Sequence, residues 1–296
     1  MPTRIQTAPS SAGTTKAATR RGWGSQHSLL VYTLIAYGIT WTLLIAGFLG
    51  TEAGVLDPDG HPVAVMIQLA ACGPLIAGLI VISLTRGRRG LADLGRRLVR
   101  WRVNPTWYAF IFLGVPLLMV AAVSILHAAE MIPGLAANWS VLLTQLPLGI
   151  LSIALVTGLA EEPGWRGYAQ PSANQRFRPL VATLVVSVIW AAWHLPNALF
   201  GQDMTETLTH FLATVVNGFV LAWAYNSTRG SILIVMLLHG AQNATNGLIT
   251  RLFAASAGGL SNAEYYLISA LTFGVLMVVV AILTRGQLGA DPHRGR

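Results

Sequence analysis

Residues 141–162 read VLLTQLPLGILSIALVTGLAEE. Up to Ala160 this stretch contains no charged side chain, and a helix of about 20 such residues crosses a hydrocarbon core of ~30 Å. The stretch therefore predicts a transmembrane helix over residues 141–161. It ends on two adjacent carboxylates, Glu161 and Glu162. Ionisable groups at this position are unfavourable in lipid unless they are paired or hydrated, so the same stretch also indicates a candidate site.

The rest of the chain has the same apolar character. Of its 296 residues 54% are hydrophobic and 10% are charged, and the mean hydropathy is +0.60. Eleven acids and nineteen bases cannot supply the water-facing surface of a soluble globular protein, so that class is excluded. Uncharged apolar windows predict eight spans, at 28–50, 62–85, 106–127, 141–161, 180–200, 207–226, 231–252 and 264–284. We therefore predict an all-α polytopic membrane helix bundle.

The bases predict how the bundle is oriented. They lie in the N-terminal tail, in the 86–105 and 162–179 segments, at Arg229 and in the C-terminal tail, and these segments alternate with segments that carry acids. The positive-inside rule then predicts that both termini are cytoplasmic, with only Arg251 on the opposite face. This topology accounts for the net charge of +8, and no nucleic-acid motif accompanies it. We expect no nucleic-acid partner.

The 86–105 segment has two interpretations. Leucines and a tryptophan lie among its seven arginines, as in an amphipathic helix that lies on the membrane surface and attracts anionic lipid. A solvated loop that only sets the topology is the alternative.

The predicted organisation has one domain. Residues 1–27 contain no apolar core with a cleavage site and are expected to form a disordered cytoplasmic tail, and residues 285–296 a second tail. The transmembrane bundle occupies residues 28–284, so we expect a multi-pass protein of the cytoplasmic cell membrane with lipid around it. The single Cys72 excludes a disulfide or Cys-based zinc site within one chain.

Polar residues within the predicted spans are candidates for a functional site. Glu162 and Arg166 are spaced i, i+4 with the acid first, which favours a helical ion pair and leaves Glu161 free. Pro163 and Gly164 are expected to kink or break the helix at this point. A helix-end cluster that meets cytoplasmic water is the structural alternative.

Two further spans carry histidine. His194 follows Trp190 by four residues, so both lie on one helical face. His239, Asn243 and Asn246 form a polar stripe at i, i+4 and i+7 on an apolar helix. Hydrogen bonds between helices are the alternative function of both sets.

Together these residues resemble a known family. Glu161-Glu162-x-x-x-Arg166, Trp190-x-x-x-His194 and His239-x-x-x-Asn243, in that order, resemble the CPBP family of CAAX prenyl endopeptidases and bacteriocin-processing (Abi) proteins. The resemblance covers residues 140–250. Trp190 departs from it, because the family's second motif usually has Phe there.

The resemblance implies an intramembrane endopeptidase, labelled a metalloprotease in much of the family, that acts on a membrane-associated peptide or protein. The substrate would be CAAX-like and prenylated, or of bacteriocin type. Glu161 would activate water, His194 would help to hold it, and His239 and Asn243 would stabilise the oxyanion. Glu162 and Arg166 would order the site.

Residue chemistry agrees with hydrolysis, because Glu, His and Asn supply a base and oxyanion donors, and no covalent nucleophile motif is present. A cofactor is not certain. Zinc binding is an alternative: if a metal is used, His194 and His239 are the ligands, although the His-Glu-x-x-His motif is absent. Two other classes stay open: a small ion- or proton-coupled transporter, and a catalytically silent bacteriocin-immunity scaffold.

Overall fold

A computed structural model of the protein describes residues 27–254 and 259–290. All regular elements within these ranges are helical. The α-helices are α1 (Ser28–Glu52), α2 (His61–Ala71), α3 (Gly73–Leu98), α4 (Thr106–Ala109), α5 (Val115–Leu126), α6 (Ala128–Ile153), α7 (Leu159–Gly164), α8 (Gln170–Asn174), α9 (Pro179–Trp193), α10 (Met204–Ser227), α11 (Ile232–Ala254) and α12 (Asn262–Leu283). Three π-helical stretches, Phe110–Gly114, Ala154–Gly158 and Trp165–Ala169, and a 3₁₀ stretch, Leu195–Phe200, connect some of them.

These elements form eight helical stretches that are long and apolar enough to cross a membrane, counted over the described ranges. The predicted all-α multi-pass bundle with eight spans is therefore confirmed. The predicted tails at 1–27 and 285–296 lie outside the described residues except for His27 and residues 285–290. The cytoplasmic position of the termini stays a prediction.

Helix α11 occupies the centre of the bundle. Its span is 78% buried, whereas 22–44% of each other span is buried. It packs antiparallel to α6, since Gly240 lies against Ile150 and, further along, Arg251 bonds Gln145. A Cβ added to Gly240 would lie 2.3 Å from the Ile150 carbonyl oxygen, so the two backbones touch at this position. The histidine on α11 is thereby held at a fixed position in the core.

The fourth span differs from its prediction. It extends over Leu142–Asn174 and is not broken at Pro163 and Gly164. Instead, π-helical turns lie on both sides of α7, and π-turns in membrane helices accommodate the hydrogen bond that proline removes. Gly164 is needed here, because an added Cβ would lie 2.2 Å from the Pro74 carbonyl oxygen on α3. The glutamates are therefore inside a continuous helical segment and not at its end.

The basic segment is helical as far as Leu98. Gly87, with φ of 56°, separates it from the membrane-spanning part of α3. Its inner face is buried: Leu94 is 2% exposed, and Arg97 donates to the Gly167 carbonyl at 2.9 Å and to the Tyr225 hydroxyl at 2.9 Å. Leu94 thus packs against the protein core, and Leu91 and Leu98 pack partly against it. Attraction of the outer arginines to anionic lipid stays a prediction.

Candidate active site

Glu161 and Glu162 lie on α7 and are buried, with 4% and 0% of their surface exposed. Helix α7 packs between α3 and α11. Two carboxylates without charge partners would be strongly unfavourable at this depth. The neighbouring side chains supply those partners.

Glu162 is held by two basic side chains. Arg166 Nη1 donates to both of its carboxylate oxygens at 3.1 Å, which confirms the predicted i, i+4 pair. His239 Nδ1 lies 2.7 Å from Glu162 Oε1. A carboxylate accepts hydrogen bonds, so this contact assigns the proton to Nδ1 and directs Nε2 away from Glu162. The arrangement is a carboxylate–histidine pair whose imidazole orientation is fixed by the acid.

Glu161 has a different partner. Trp190 Nε1 donates to Glu161 Oε2 at 2.8 Å, and the guanidinium of Arg166 lies over the Trp190 ring at 4.5 Å. His194 follows at the end of α9, where its Nδ1 lies 2.9 Å from the Trp190 carbonyl oxygen. A carbonyl oxygen only accepts, so His194 carries its proton on Nδ1 and its Nε2 is an acceptor. Trp190 therefore links both side chains through its indole and its backbone.

The first span holds the end of α9 in place. Trp41 Nε1 donates to the Trp193 carbonyl at 3.1 Å, and the Tyr37 hydroxyl donates to the Ile189 carbonyl. These donors occupy carbonyls on either side of Trp190. Residues outside the 140–250 core thereby contribute to the position of His194.

The side chains meet in one cavity of about 300 Å³. Glu161, His194, His239 and Asn243 all line it, as do Asn246 and Gln242. Glu162 and Arg166 lie behind His239 and do not line the cavity. The structure thus brings together four of the predicted residues and places the other two as their support. Their catalytic roles stay a prediction.

Several lining residues were missed by the sequence analysis. The His210 ring lies 5.1 Å from the His194 ring and is stacked on Tyr266 at 4.6 Å. His210, Thr214 and Asn217 are spaced i, i+4 and i+7 and line the cavity together, so the same stripe pattern that marked α11 was present on α10. Trp190 was expected only to share a helical face with His194. Its hydrogen bond to Glu161 depends on tertiary contact and has no signal in one sequence.

Binding of a metal ion requires a closely grouped set of ligands. A catalytic zinc site uses three protein ligands and an open position. Within residues 27–254 and 259–290 no three His, Cys, Asp or Glu side chains are grouped closely enough to hold a metal. The side-chain arrangement therefore does not fit a preformed three-ligand zinc site, and His194 and His239 as ligands stay a prediction.

Comparison with known proteins points to one family. Residues 142–245 match the model of the family described as type II CAAX prenyl endopeptidase Rce1-like. CAAX prenyl protease 2 of Methanococcus maripaludis is 28% identical over 109 residues, which cover 34% of this chain and 40% of that protein. The chain therefore spans less than half the length of this relative.

A second relative is similar over a longer range. Lysostaphin resistance protein A of Staphylococcus haemolyticus is 22% identical over 272 residues, covering 90% of this chain and 69% of that protein. The family match at 142–245 contains α7, α9 and the part of α11 that carries His239, Gln242 and Asn243, and it ends one residue before Asn246. Through this core, the chain is similar to the CPBP family of CAAX-type membrane endopeptidases.

Proposed function

We propose that this protein is an intramembrane endopeptidase that hydrolyses a peptide bond of a membrane-associated substrate with water activated by Glu161 and His194. One observation carries the proposal: Glu161, His194, His239 and Asn243, from three different helices, line a single cavity. A base, a water-holding acceptor and oxyanion donors in one cavity are what peptide hydrolysis requires.

The first step is attack by water. Glu161 Oε2 accepts from Trp190, which leaves Oε1 to take a proton from water. The water also donates to His194 Nε2, because Nδ1 of that ring is engaged by the Trp190 carbonyl. The water oxygen then forms a bond to the carbonyl carbon of the substrate as its proton moves to Glu161.

The tetrahedral intermediate carries a negative oxygen. His239 Nε2–H and the Asn243 amide donate to it. With His239 protonated, two cations, His239 and Arg166, balance two carboxylates, Glu161 and Glu162, and the buried cluster is neutral. Glu162 and Arg166 hold the imidazole in place through the 2.7 Å and 3.1 Å contacts. Preformed donors of this kind lower a barrier by about 3–4 kcal/mol each.

Collapse of the intermediate completes the reaction. The carbon–nitrogen bond breaks, the electron pair stays on nitrogen, and the proton held by Glu161 moves to that nitrogen. The first products are a carboxylic acid and an amine; the acid then gives its remaining proton to the amine or to solvent water and leaves as a carboxylate. No covalent enzyme intermediate forms.

The substrate lies in or on the membrane, because the cavity is lined by membrane-spanning helices. The Methanococcus relative is named a CAAX prenyl protease and the Staphylococcus relative a lysostaphin resistance protein. We infer a prenylated CAAX-like or bacteriocin-type polypeptide as the substrate and the cytoplasmic membrane as the location.

The test compares Glu161→Gln with the wild type in proteoliposomes that contain a library of membrane-tethered peptides. Mass spectrometry in H₂¹⁸O identifies the product carboxylate by its single ¹⁸O atom. Loss of a general base lowers the rate by about 10²–10⁴-fold, and Glu52→Gln, an exposed acid on α1, is the matched control. Equal cleavage by Glu161→Gln and wild type would overturn the proposal.

A non-catalytic resistance function is the second candidate, and the 90% coverage in the match to the lysostaphin resistance protein favours it. It predicts that cells producing Glu161→Gln keep any resistance that the wild type confers. The proposed peptidase predicts that they lose it.

A further inference from the structure

A second groove leaves the candidate active site between α6 and α11. It has a volume of about 180 Å³. Gln145, Gly149 and Ile153 line it from α6, and Asn243, Gly247 and Arg251 from α11. Both triplets are spaced i, i+4 and i+8, so each forms one row on its helix, inclined to the helix axis. The helices are antiparallel, and the rows face each other from Gln145–Arg251 to Ile153–Asn243.

The groove joins the catalytic cavity at Asn243. This residue lines both spaces and is exposed, although most of its neighbours on α11 are buried. Leu148 and Leu151, next to the groove on α6, are 64% and 44% exposed on the surface of the bundle. The groove therefore connects the lipid-facing side of the molecule with the residue that we assign to the oxyanion.

Two glycines keep the middle of the groove open. Gly149 and Gly247 occupy the central positions of the two rows. A Cβ added to Gly247 would have no atom within 4 Å, so the space above its backbone is free. Glycine at such a position allows another backbone to approach closely.

Arg251 closes the far end. Its only hydrogen bond among the described residues goes to the neutral Gln145 Oε1, at 2.8 Å, and no carboxylate pairs with it there. Arg251 is also the base that falls on the wrong face in the predicted topology. A cation in this position, without an acidic partner, suits a carboxylate supplied by a ligand.

We propose that the α6–α11 groove is a substrate-binding site that holds the polypeptide on the C-terminal side of the cleaved bond in extended form, with a carboxylate bound by Arg251. Asn243 and Arg251 are eight residues apart, or ~12 Å along the helix. An extended chain covers that distance in about three to four residues at ~3.3–3.6 Å each. The carboxylate is therefore a chain terminus or an acidic side chain three or four residues beyond the bond. This inference rests on the proposed function.

The first test blocks the groove. Gly247→Leu places a side chain in the groove from a Cβ position that has no atom within 4 Å, and Gly274→Leu is the matched control, since an added Cβ at Gly274 on α12 also has no neighbour within 4 Å. We expect Gly247→Leu to slow cleavage of a peptide with four residues after the bond by at least about tenfold, the effect of losing one charge-assisted hydrogen bond. Cleavage of a peptide that ends one residue after the bond should not change. That short peptide reports intact folding and chemistry.

The second test measures how much the positive charge of Arg251 contributes to cleavage of a substrate that carries a carboxylate. Three peptides differ only at the third residue after the bond: a free C-terminal carboxylate, a C-terminal amide, and an amide with Asp at that position. We expect wild type to cleave the first at least about tenfold faster than the second, and Arg251→Gln to remove the difference. Fast cleavage of the third peptide identifies an acidic side chain as a ligand, and slow cleavage restricts the site to a chain terminus.

A third measurement does not need hydrolysis. A photoreactive group on the third residue after the bond is cross-linked in the Glu161→Gln protein, and the labelled residues are mapped. Labelling of the groove that Gly247→Leu abolishes supports the site even if no peptide is cleaved, in which case only the proposed function fails. Two results would overturn the groove proposal and leave the proposed peptidase activity intact. One is that neither Gly247→Leu nor Arg251→Gln alters cleavage. The other is that a phospholipid occupies the groove and the peptide does not displace it.

Discussion

Replacement of Arg166 by Met tests whether the buried ion pair supports the site. Arg166 and Glu162 are each 0% exposed, and Arg166 Nη1 contacts both carboxylate oxygens at 3.1 Å. Methionine has a similar length and no charge, so Arg166→Met leaves the Glu162 carboxylate buried with His239 as its one remaining partner among the described residues. Removing one partner of a buried pair destabilises a protein by about 3–5 kcal/mol.

The double variant Glu162→Gln/Arg166→Met separates charge from packing. It contains no uncompensated charge at this position, so we expect it to be more stable than the sum of the two single variants implies, by about 2–3 kcal/mol. The free energy of unfolding is measured by SDS titration in mixed micelles with tryptophan fluorescence, since the chain has nine Trp. Arg88→Met is the control, because Arg88 is exposed and its loss should change stability by less than about 0.5 kcal/mol. If Arg166→Met and Arg88→Met unfold at the same SDS fraction, the reasoning about the buried pair is refuted.

Three further outcomes are expected. Gly240→Ala should destabilise the protein by about 1–3 kcal/mol, because its Cβ would lie 2.3 Å from the Ile150 carbonyl oxygen. Gly247→Ala on the same helix has free space around its Cβ and should be neutral or slightly stabilising. The two variants are compared by SDS unfolding. Arg97→Gln should lower stability by about 1.5–3 kcal/mol, since it loses the contacts to Gly167 and Tyr225, and Arg96→Gln, whose side chain is 68% exposed, should have almost no effect on the same measurement. Incubation with a chelator should leave peptide cleavage unchanged, because no three described His, Cys, Asp or Glu side chains are grouped closely enough to hold a metal, and recovery of lost activity by added zinc would contradict this.

The sequence predicted those features of the site that depend on the spacing of residues along one helix. The i, i+4 spacing of Glu162 and Arg166 predicted their contact, because α-helical geometry places such residues on one face. The polar stripe of His239 and Asn243 predicted one face of α11 in the same way. The His210 stripe on α10 follows the same rule and was overlooked.

Contacts between different helices could not be predicted from residue spacing. Trp190 could be assigned to the face of His194, but not to a hydrogen bond with Glu161, 29 residues earlier in the chain. The predicted end of the fourth span at residue 161 was wrong, and the helix does not break at Pro163, because close packing of Gly164 on Pro74 and two π-turns accompany a continuous helical segment. The helix propensity of the local sequence carries no information about these tertiary contacts.

Apolar length and the scarcity of charge were enough to determine, from the sequence, that eight helices cross a bilayer, since lipid requires each span to satisfy its own backbone hydrogen bonds. Only the tertiary structure decided which faces of those helices meet, because helices in lipid associate through close packing and specific polar contacts between distant residues. Glu162 and His239 are 77 residues apart in the chain and 2.7 Å apart in the fold. The same packing opened the groove between Gly149 and Gly247.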